Sequence, residues 1–142
     1  MSNNGGAAEF TPAVISENAS VVLEKRYLQK NEAGEIVESP VGMFRRVAKA
    51  LASPELKYEK TPDEVAKLEE GFFQVMASLE YLPNSPTMMN AGTGAGTLSA
   101  CFVLPLRDSM EGIMGAAHDA AMVQKFGGGT GFALSQLRPK GA

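Results

Sequence analysis

The chain has 142 residues, 44% of them hydrophobic and 20% charged, with 15 glycines and 8 prolines; this is about the length of one domain, and the composition excludes a disordered, collagenous or disulfide-scaffold protein. Thirteen basic and sixteen acidic side chains leave a net charge of −3, and no basic block supplies the footprint of nucleic-acid binding, so no nucleic-acid partner is expected. One cysteine and one histidine exclude an intrachain disulfide and a structural zinc site, so no metal site is expected and a reducing cytoplasm is the expected compartment.

The start, Met-Ser-Asn-Asn-Gly-Gly-Ala-Ala, lacks the positive charge and apolar stretch of a targeting segment, and the longest mostly apolar run, residues 113–123, is too short to span a bilayer. A soluble protein with no membrane partner is expected, with residues 1–12 as a flexible tail. From Ser16, a fitting N-cap, Ala19, Val22, Leu23 and Tyr27 recur at helical spacing and predict a first helix ending near Gln29. Asn31-Glu32-Ala33-Gly34 predicts a turn between two short extended pieces. Ser39-Pro40 then opens a second helix with an apolar stripe of Val41, Phe44, Val47, Ala48 and Leu51, leaving Arg45, Arg46 and Lys49 on its wet side until Ser53-Pro54 stops it.

Thr61-Pro62-Asp63-Glu64 is a capping box, and Val65, Leu68, Phe72, Val75, Met76 and Leu79 continue a third helix that ends by Leu82. Residues 84–97 are rich in Asn, Ser, Pro, Thr and Gly and predict an irregular loop. Residues 98–104 form an apolar run expected as a buried strand, with Cys101 at its centre and Pro105 closing it. A fourth helix is expected to open at Asp108, with Glu111 as its capping partner and Met110, Ile113, Met114, Ala117 and Ala121 on one face, and to end at Gly127. A second strand is expected over residues 132–137. Two strands and one helix cannot close a parallel sheet, so the pattern predicts a sheet only begun.

Gly127-Gly128-Gly129-Thr130-Gly131 is neither a P-loop nor a dinucleotide fingerprint, because a helix precedes it and a strand follows. A helix C-cap and tight turn would use one or two glycines; four of five point to a ligand-facing role. Cys101 reads either as a small inert hydrophobe, the commoner state of a strand cysteine, or as a redox thiol at a strand end whose partner lies outside these residues. Asn84-Ser85-Pro86-Thr87 offers donors for phosphate or ribose oxygens, or is an ordinary turn. His118, Lys25-Arg26 and Arg45-Arg46 read as solvated surface, and Met88-Met89 as packing.

Leu82-Pro83-Asn84-Ser85-Pro86-Thr87-Met88-Met89-Asn90-Ala91-Gly92-Thr93, Leu98-Ser99-Ala100-Cys101-Phe102-Val103-Leu104-Pro105 and Gly127-Gly128-Gly129-Thr130-Gly131-Phe132, in that order, resemble the ribonucleotide reductases. Asp108-Ser109-Met110-Glu111-Gly112-Ile113 and Leu137-Arg138-Pro139-Lys140-Gly141 extend the likeness. Glu17-Asn18-Ala19, Leu23-Glu24-Lys25-Arg26-Tyr27-Leu28 and Phe44-Arg45-Arg46-Val47-Ala48 resemble the adenosylcobalamin-dependent, class II branch more than the di-iron branch.

The resemblance implies an α+β/α/β chain: an all-α N-terminal domain, residues 13–82, followed over residues 83–142 by the beginning of a ten-stranded α/β barrel, incomplete in this chain. It implies reduction of the ribose 2′ carbon by thiyl-radical chemistry started by adenosylcobalamin. Cys101 would be one member of the redox-active pair, and Ser85, Ala100, Cys101 and Gly129 would contact the ribonucleotide substrate. The radical-bearing cysteine, its neighbouring asparagine and glutamate, the phosphate end of the site and the C-terminal cysteines would lie beyond Ala142. The expected partners are the remainder of the reductase or a split partner, a thioredoxin-type reductant and further copies in a homo-oligomer. A break after Gly141 would also suit an intein. The alternative is a noncatalytic nucleotide- or protein-binding module of the same ancestry.

Overall fold

A computed structural model describes residues 11–141, which form two compact units divided between Leu82 and Pro83. The expected tail, residues 1–12, lies almost wholly outside the described residues.

In the first unit, helix α1 (Glu17–Arg26) starts where Ser16 Oγ accepts the Ala19 N–H at 3.3 Å, and Glu17 and Lys25-Arg26 complement its dipole at the two ends. It stops before the expected Gln29, because the next residues have other partners. Lys30 bridges Ile36 in antiparallel fashion, the Gln29 carbonyl accepts the Val37 N–H at 3.0 Å, and the Gln29 N–H donates to Glu38 at 3.2 Å. The intervening turn is tied by Asn31, whose Oδ1 accepts the Glu35 N–H at 2.9 Å.

Helix α2 (Pro40–Ala52) begins as expected at Ser39, whose Oγ accepts the Gly42 N–H at 3.1 Å. Its buried face is Met43, Phe44, Val47, Ala48 and Ala52. The expected stripe is therefore rotated: Val41 is 39% exposed and Met43 fully buried. Arg45 and Arg46 are also not simply solvated. The Arg45 guanidinium lies 3.4 Å from the Phe73 ring centroid and pairs with Glu70. Arg46 forks onto Glu38 with Nε–Oε1 at 2.8 Å and Nη2–Oε2 at 2.9 Å, and both side chains are about nine-tenths buried. Since Glu38 also holds the Gln29 N–H, this ion pair ties the antiparallel bridge to α2.

A 3₁₀ turn, Ser53–Tyr58, leads to α3 (Pro62–Ala77), where the capping box forms in full: Thr61 Oγ1 accepts the Glu64 N–H and Glu64 accepts the Thr61 N–H at 2.8 Å. α3 packs on α2 through Val65, Phe73, Met76 and Ala77. Here too the expected face is turned, with Phe73 buried and Phe72 37% exposed. Its end comes at Ala77, whose carbonyl accepts the Ala13 N–H at 2.8 Å, and Leu79 follows at φ +63°.

In the second unit, residues 85–90 of the expected irregular loop form a helix, α4 (Ser85–Asn90), capped by Asn84 Oδ1 on the Thr87 N–H at 2.9 Å. Strand β1 (Cys101–Pro105), helix α5 (Met110–Lys125) and strand β2 (Gly129–Ala133) make one β–α–β unit, with the strands parallel and Cys101 opposite Gly129. Three expectations change. Cys101 is the first residue of its strand and is exposed, and the strand is not buried: Val103 is 79% exposed. The N-cap of α5 is Ser109, not Asp108, whose carboxylate instead takes Arg138 Nε at 2.7 Å. The second strand begins inside the glycine run and gives way to a 3₁₀ turn, Leu134–Gln136. On α5 only Ala116 and Ala120 are buried, while Met110 and Met114 of the expected apolar face are 69% and 61% exposed. No helix among the described residues is long and apolar enough to cross a membrane.

Two outcomes follow for the helical unit. Phe73→Ala should destabilise it by about 3–5 kcal/mol in a denaturant titration, since it empties the α2–α3 contact and removes the surface under Arg45. Glu64 is held below its ordinary 4.5 by the Thr61 backbone N–H first and the Thr61 hydroxyl second. A depressed carboxylate contributes stability above its unfolded pKa that is lost as pH falls through the folded one. The denaturant midpoint should therefore drop on acidification below 4.5, and Glu64→Gln should flatten that drop; an unchanged slope would remove the capping carboxylate as its cause.

Candidate functional site

The starts of the two parallel strands bring Ala100, Cys101 and Gly129 together. Gly129 lies opposite Cys101, and its N–H donates to the Ala100 carbonyl at 2.6 Å. Cys101 is exposed and has no second cysteine in the chain to pair with. The thiol is accessible at the strand start and is not buried among the described residues, where the inert reading expected it.

The chain reaches Gly129 through the end of α5. Gly127, at φ +83°, donates to the Gln124 carbonyl at 3.0 Å, and Gly128 donates to the Val123 carbonyl at 3.1 Å. This is the paired hydrogen-bond pattern of a Schellman cap, which needs the left-handed residue that glycine supplies without strain. Gly128 is required for a different reason: a Cβ there would lie 2.7 Å from Val123 Cγ1 and 3.2 Å from the Phe102 ring. Packing does not explain the other two glycines. A Cβ on Gly129 would meet only the Ala100 carbonyl at 3.5 Å, and one on Gly131 would meet nothing within 4 Å. The run thus divides into a structural pair and a pair with room beside it.

Ser85 opens α4, and α4 is tethered to the chain just ahead of Ala100. The Thr87 hydroxyl donates to the Leu98 carbonyl at 2.7 Å, and Asn90 Nδ2 donates to the Thr97 carbonyl at 2.8 Å. Asn84 and Thr87, expected as ligand donors or a plain turn, are occupied as a cap and a tether. These tethers are missed by a reading of residues 84–97 as irregular loop, although Asn84 three residues ahead of Thr87, with Pro86 between, is a cap signal. His118 is solvent-exposed on α5 with Nδ1 3.2 Å from the Asp119 carboxylate, and Lys25 and Arg26 are exposed, as expected. Met88 is buried in packing. No group of three His, Cys, Asp or Glu placed to hold a metal occurs among the described residues.

Residues 14–96 match the ribonucleotide reductase all-alpha domain, and residues 99–142 match the ribonucleotide reductase barrel domain. The vitamin B12-dependent ribonucleoside-diphosphate reductase of Mycobacterium tuberculosis is 44% identical over 127 residues, covering 89% of this chain and 18% of that protein. The protein of the same name from Thermoplasma acidophilum is 40% identical over 179 residues, covering 89% of this chain and 23% of the relative. Among solved structures, the Actinobacillus ureae class Id ribonucleotide reductase alpha subunit superposes with a TM-score of 0.68 at 26% identity, covering 89% of this chain and 22% of that one. The chain spans roughly a fifth of the length of these relatives.

The division of the glycines is open to measurement. Gly128→Ala should cost about 1–3 kcal/mol by overpacking against Val123 and Phe102, whereas Gly129→Ala should stay within about 1 kcal/mol of the wild type. Urea denaturation of the two variants decides it, and equal losses would mean that Gly129 is as structural as Gly128.

Proposed function

The chain belongs to the ribonucleotide reductase family, and from that premise we propose that it forms the N-terminal part of a class II ribonucleoside-diphosphate reductase in which Cys101 is one of the two redox-active thiols. The observation that carries this reading is the exposed Cys101 thiol at the start of β1, with Gly129 opposite it and the Ala100 carbonyl fixed by the Gly129 N–H.

Removing a 2′ hydroxyl reductively needs two electrons and two protons. The Cys101 thiol and a second thiol supply both as they become a disulfide; the 2′ C–O bond breaks, a C–H bond forms and water leaves. The chain contains one cysteine, so the second thiol belongs to sequence outside it, as does the radical-bearing cysteine. Ala100, Cys101 and Gly129 form one edge of the nucleotide site, with Ser85 at the start of α4 as a further contact. At Gly129 the missing side chain leaves room for the ribose to approach the strand.

The relatives named as vitamin B12-dependent bring adenosylcobalamin into the proposal as the radical initiator of the complete enzyme. Among the described residues no group of three His, Cys, Asp or Glu is placed to hold a metal, and no residue of this chain is assigned to the cobalamin. No step of the chemistry is therefore assigned to a contact between cobalamin and this chain. The complete enzyme would make deoxyribonucleotides for DNA replication in the cytoplasm, as a homo-oligomer whose disulfide is reduced by a thioredoxin-type protein.

The test is turnover with and without the remaining sequence. The 142 residues alone should give no deoxynucleotide from a ribonucleoside diphosphate, and the reductase completed by the rest of the barrel should. Cys101→Ser in that enzyme should abolish multiple turnover while nucleotide binding persists. Turnover by the chain alone, or undiminished multiple turnover after Cys101→Ser, would overturn the proposal.

A further inference from the structure

We infer that Thr87 and Asn90 are positioning residues that hold the start of α4, and with it Ser85, in register with the Ala100–Cys101 edge of the nucleotide site. This rests on the reading of Ser85 as a substrate contact given above.

The reason lies in the length of α4. Helix initiation is unfavourable and short isolated helices do not persist in water, so a helix of six residues, Ser85–Asn90, cannot by itself hold Ser85 at a fixed point. Something outside the helix must fix it. Two side chains three positions apart, and so on one face, donate to successive carbonyls of the chain entering β1: Thr87 to Leu98 at 2.7 Å and Asn90 to Thr97 at 2.8 Å. Pro86 and Met88 are buried beside Thr87 and hold α4 against its surroundings, and the two tethers fix its direction relative to the chain entering β1.

The detail at each tether supports this role. Thr87 is a buried polar residue, 6% exposed. Its hydroxyl also lies 3.0 Å from Asn84 Oδ1, but one hydroxyl proton serves one acceptor at a time. Asn84 Oδ1 already accepts the Thr87 backbone N–H, so the proton goes to the shorter contact at Leu98. Around Asn90 the loop is shaped to the carboxamide. Gly96, at φ +76°, lies so close that a Cβ there would sit 2.6 Å from Asn90 Cγ and Nδ2. The Asn90 carbonyl in turn accepts the Thr93 N–H at 3.0 Å and the Thr93 hydroxyl at 2.8 Å. Residues 90–97 therefore close on themselves and deliver the Thr97 and Leu98 carbonyls to α4 in a fixed spacing.

A contact held this way contributes to binding only while its carrier is rigid, because small displacements of a positioned group are costly. The test uses the full-length reductase that contains these residues, with KM for the ribonucleoside diphosphate measured separately from kcat. Thr87→Val keeps the side-chain shape and removes the donor; Asn90→Asp keeps the shape and replaces the donating nitrogen with an acceptor. Each should raise KM about tenfold, the loss of one hydrogen bond's worth of binding, with kcat within about twofold of wild type. Thr87→Ser, which restores the hydroxyl, should return KM to within about twofold of wild type. Thermal unfolding identifies any variant that fails to fold, and the inference is then judged on the folded ones, Thr87→Ser and Asn90→Asp among them.

Unchanged KM in folded Thr87→Val and Asn90→Asp, or a Thr87→Ser as impaired as Thr87→Val, would overturn the inference. Ser85→Ala separates it from its premise. If Ser85→Ala raises KM and the tether variants do not, positioning fails alone; if Ser85→Ala leaves KM unchanged, the substrate contact fails and positioning falls with it.

Discussion

Parallel strands cannot be joined by a tight turn, and everything in the second unit follows from how that constraint is met. The chain leaves β1 at Pro105, returns along α5, and has to begin β2 beside the first residue of β1. A sharp reversal is needed at the end of α5, and Gly127 and Gly128 supply it, one by its left-handed backbone and the other by making room for Val123 and Phe102. The result is the hydrogen bond from Gly129 to the Ala100 carbonyl, which starts the ladder and places Gly129 against Cys101. Had the reversal taken one more residue, the register would shift by one and Cys101 would face a different residue, since side chains alternate between faces.

The helical unit solves a different problem with charged groups. α1 has no buried residue, so its placement cannot come from a hydrophobic stripe of its own. The chain after it is held instead by the Glu38–Arg46 pair, with Glu38 taking the Gln29 N–H as well. A nearly buried ion pair is a poor source of net stability but a good source of fixed geometry when its remaining hydrogen-bonding capacity is used, and here the third hydrogen bond uses it. Between α2 and α3 the contact is of another kind: Arg45 lies over the Phe73 ring and pairs with Glu70 at an exposed position.

The helix starts were legible in the sequence where a cap is a matter of three or four adjacent residues. Ser16, Ser39 and Thr61 all cap as their spacing predicts. The buried faces of α2 and α3 were less legible, because each apolar set is wide enough to be turned by one position and only the partner helix chooses between Phe72 and Phe73. α5 shows a third case: Asp108 and Ser109 are both good caps, and the choice fell to Ser109 with Asp108 taken by Arg138, thirty residues along. At the site, the glycine run and Cys101 were visible as unusual residues, but the exposure of Cys101 was not, since the run from Leu98 to Leu104 has the continuous apolar pattern of a strand covered on both faces. That pattern and the observed exposure of Val103 agree if the uncovered face of the sheet is one that further sequence covers.

The location of the proposed site within the β–α–β unit is itself informative. Ligands of open parallel sheets bind beyond the carboxyl ends of the strands, where loops diverge. Here the carboxyl ends are at Pro105 and Ala133, and beyond them Asp108 and Arg138 join the two outgoing segments in an ion pair. Ala100, Cys101 and Gly129 lie at the opposite end, where the strands begin. Cys101, the thiol proposed to react, is the first residue of the ladder, with an approach segment before it. That position makes the approach segment matter, because a residue entering a strand is only as well placed as the chain that delivers it. For Cys101 that chain is residues 97–100, whose first two carbonyls are held by Asn90 and Thr87, while the Ala100 carbonyl is held by the Gly129 N–H; α4 is thus tied to the approach segment, and the thiol's own place is set by the ladder.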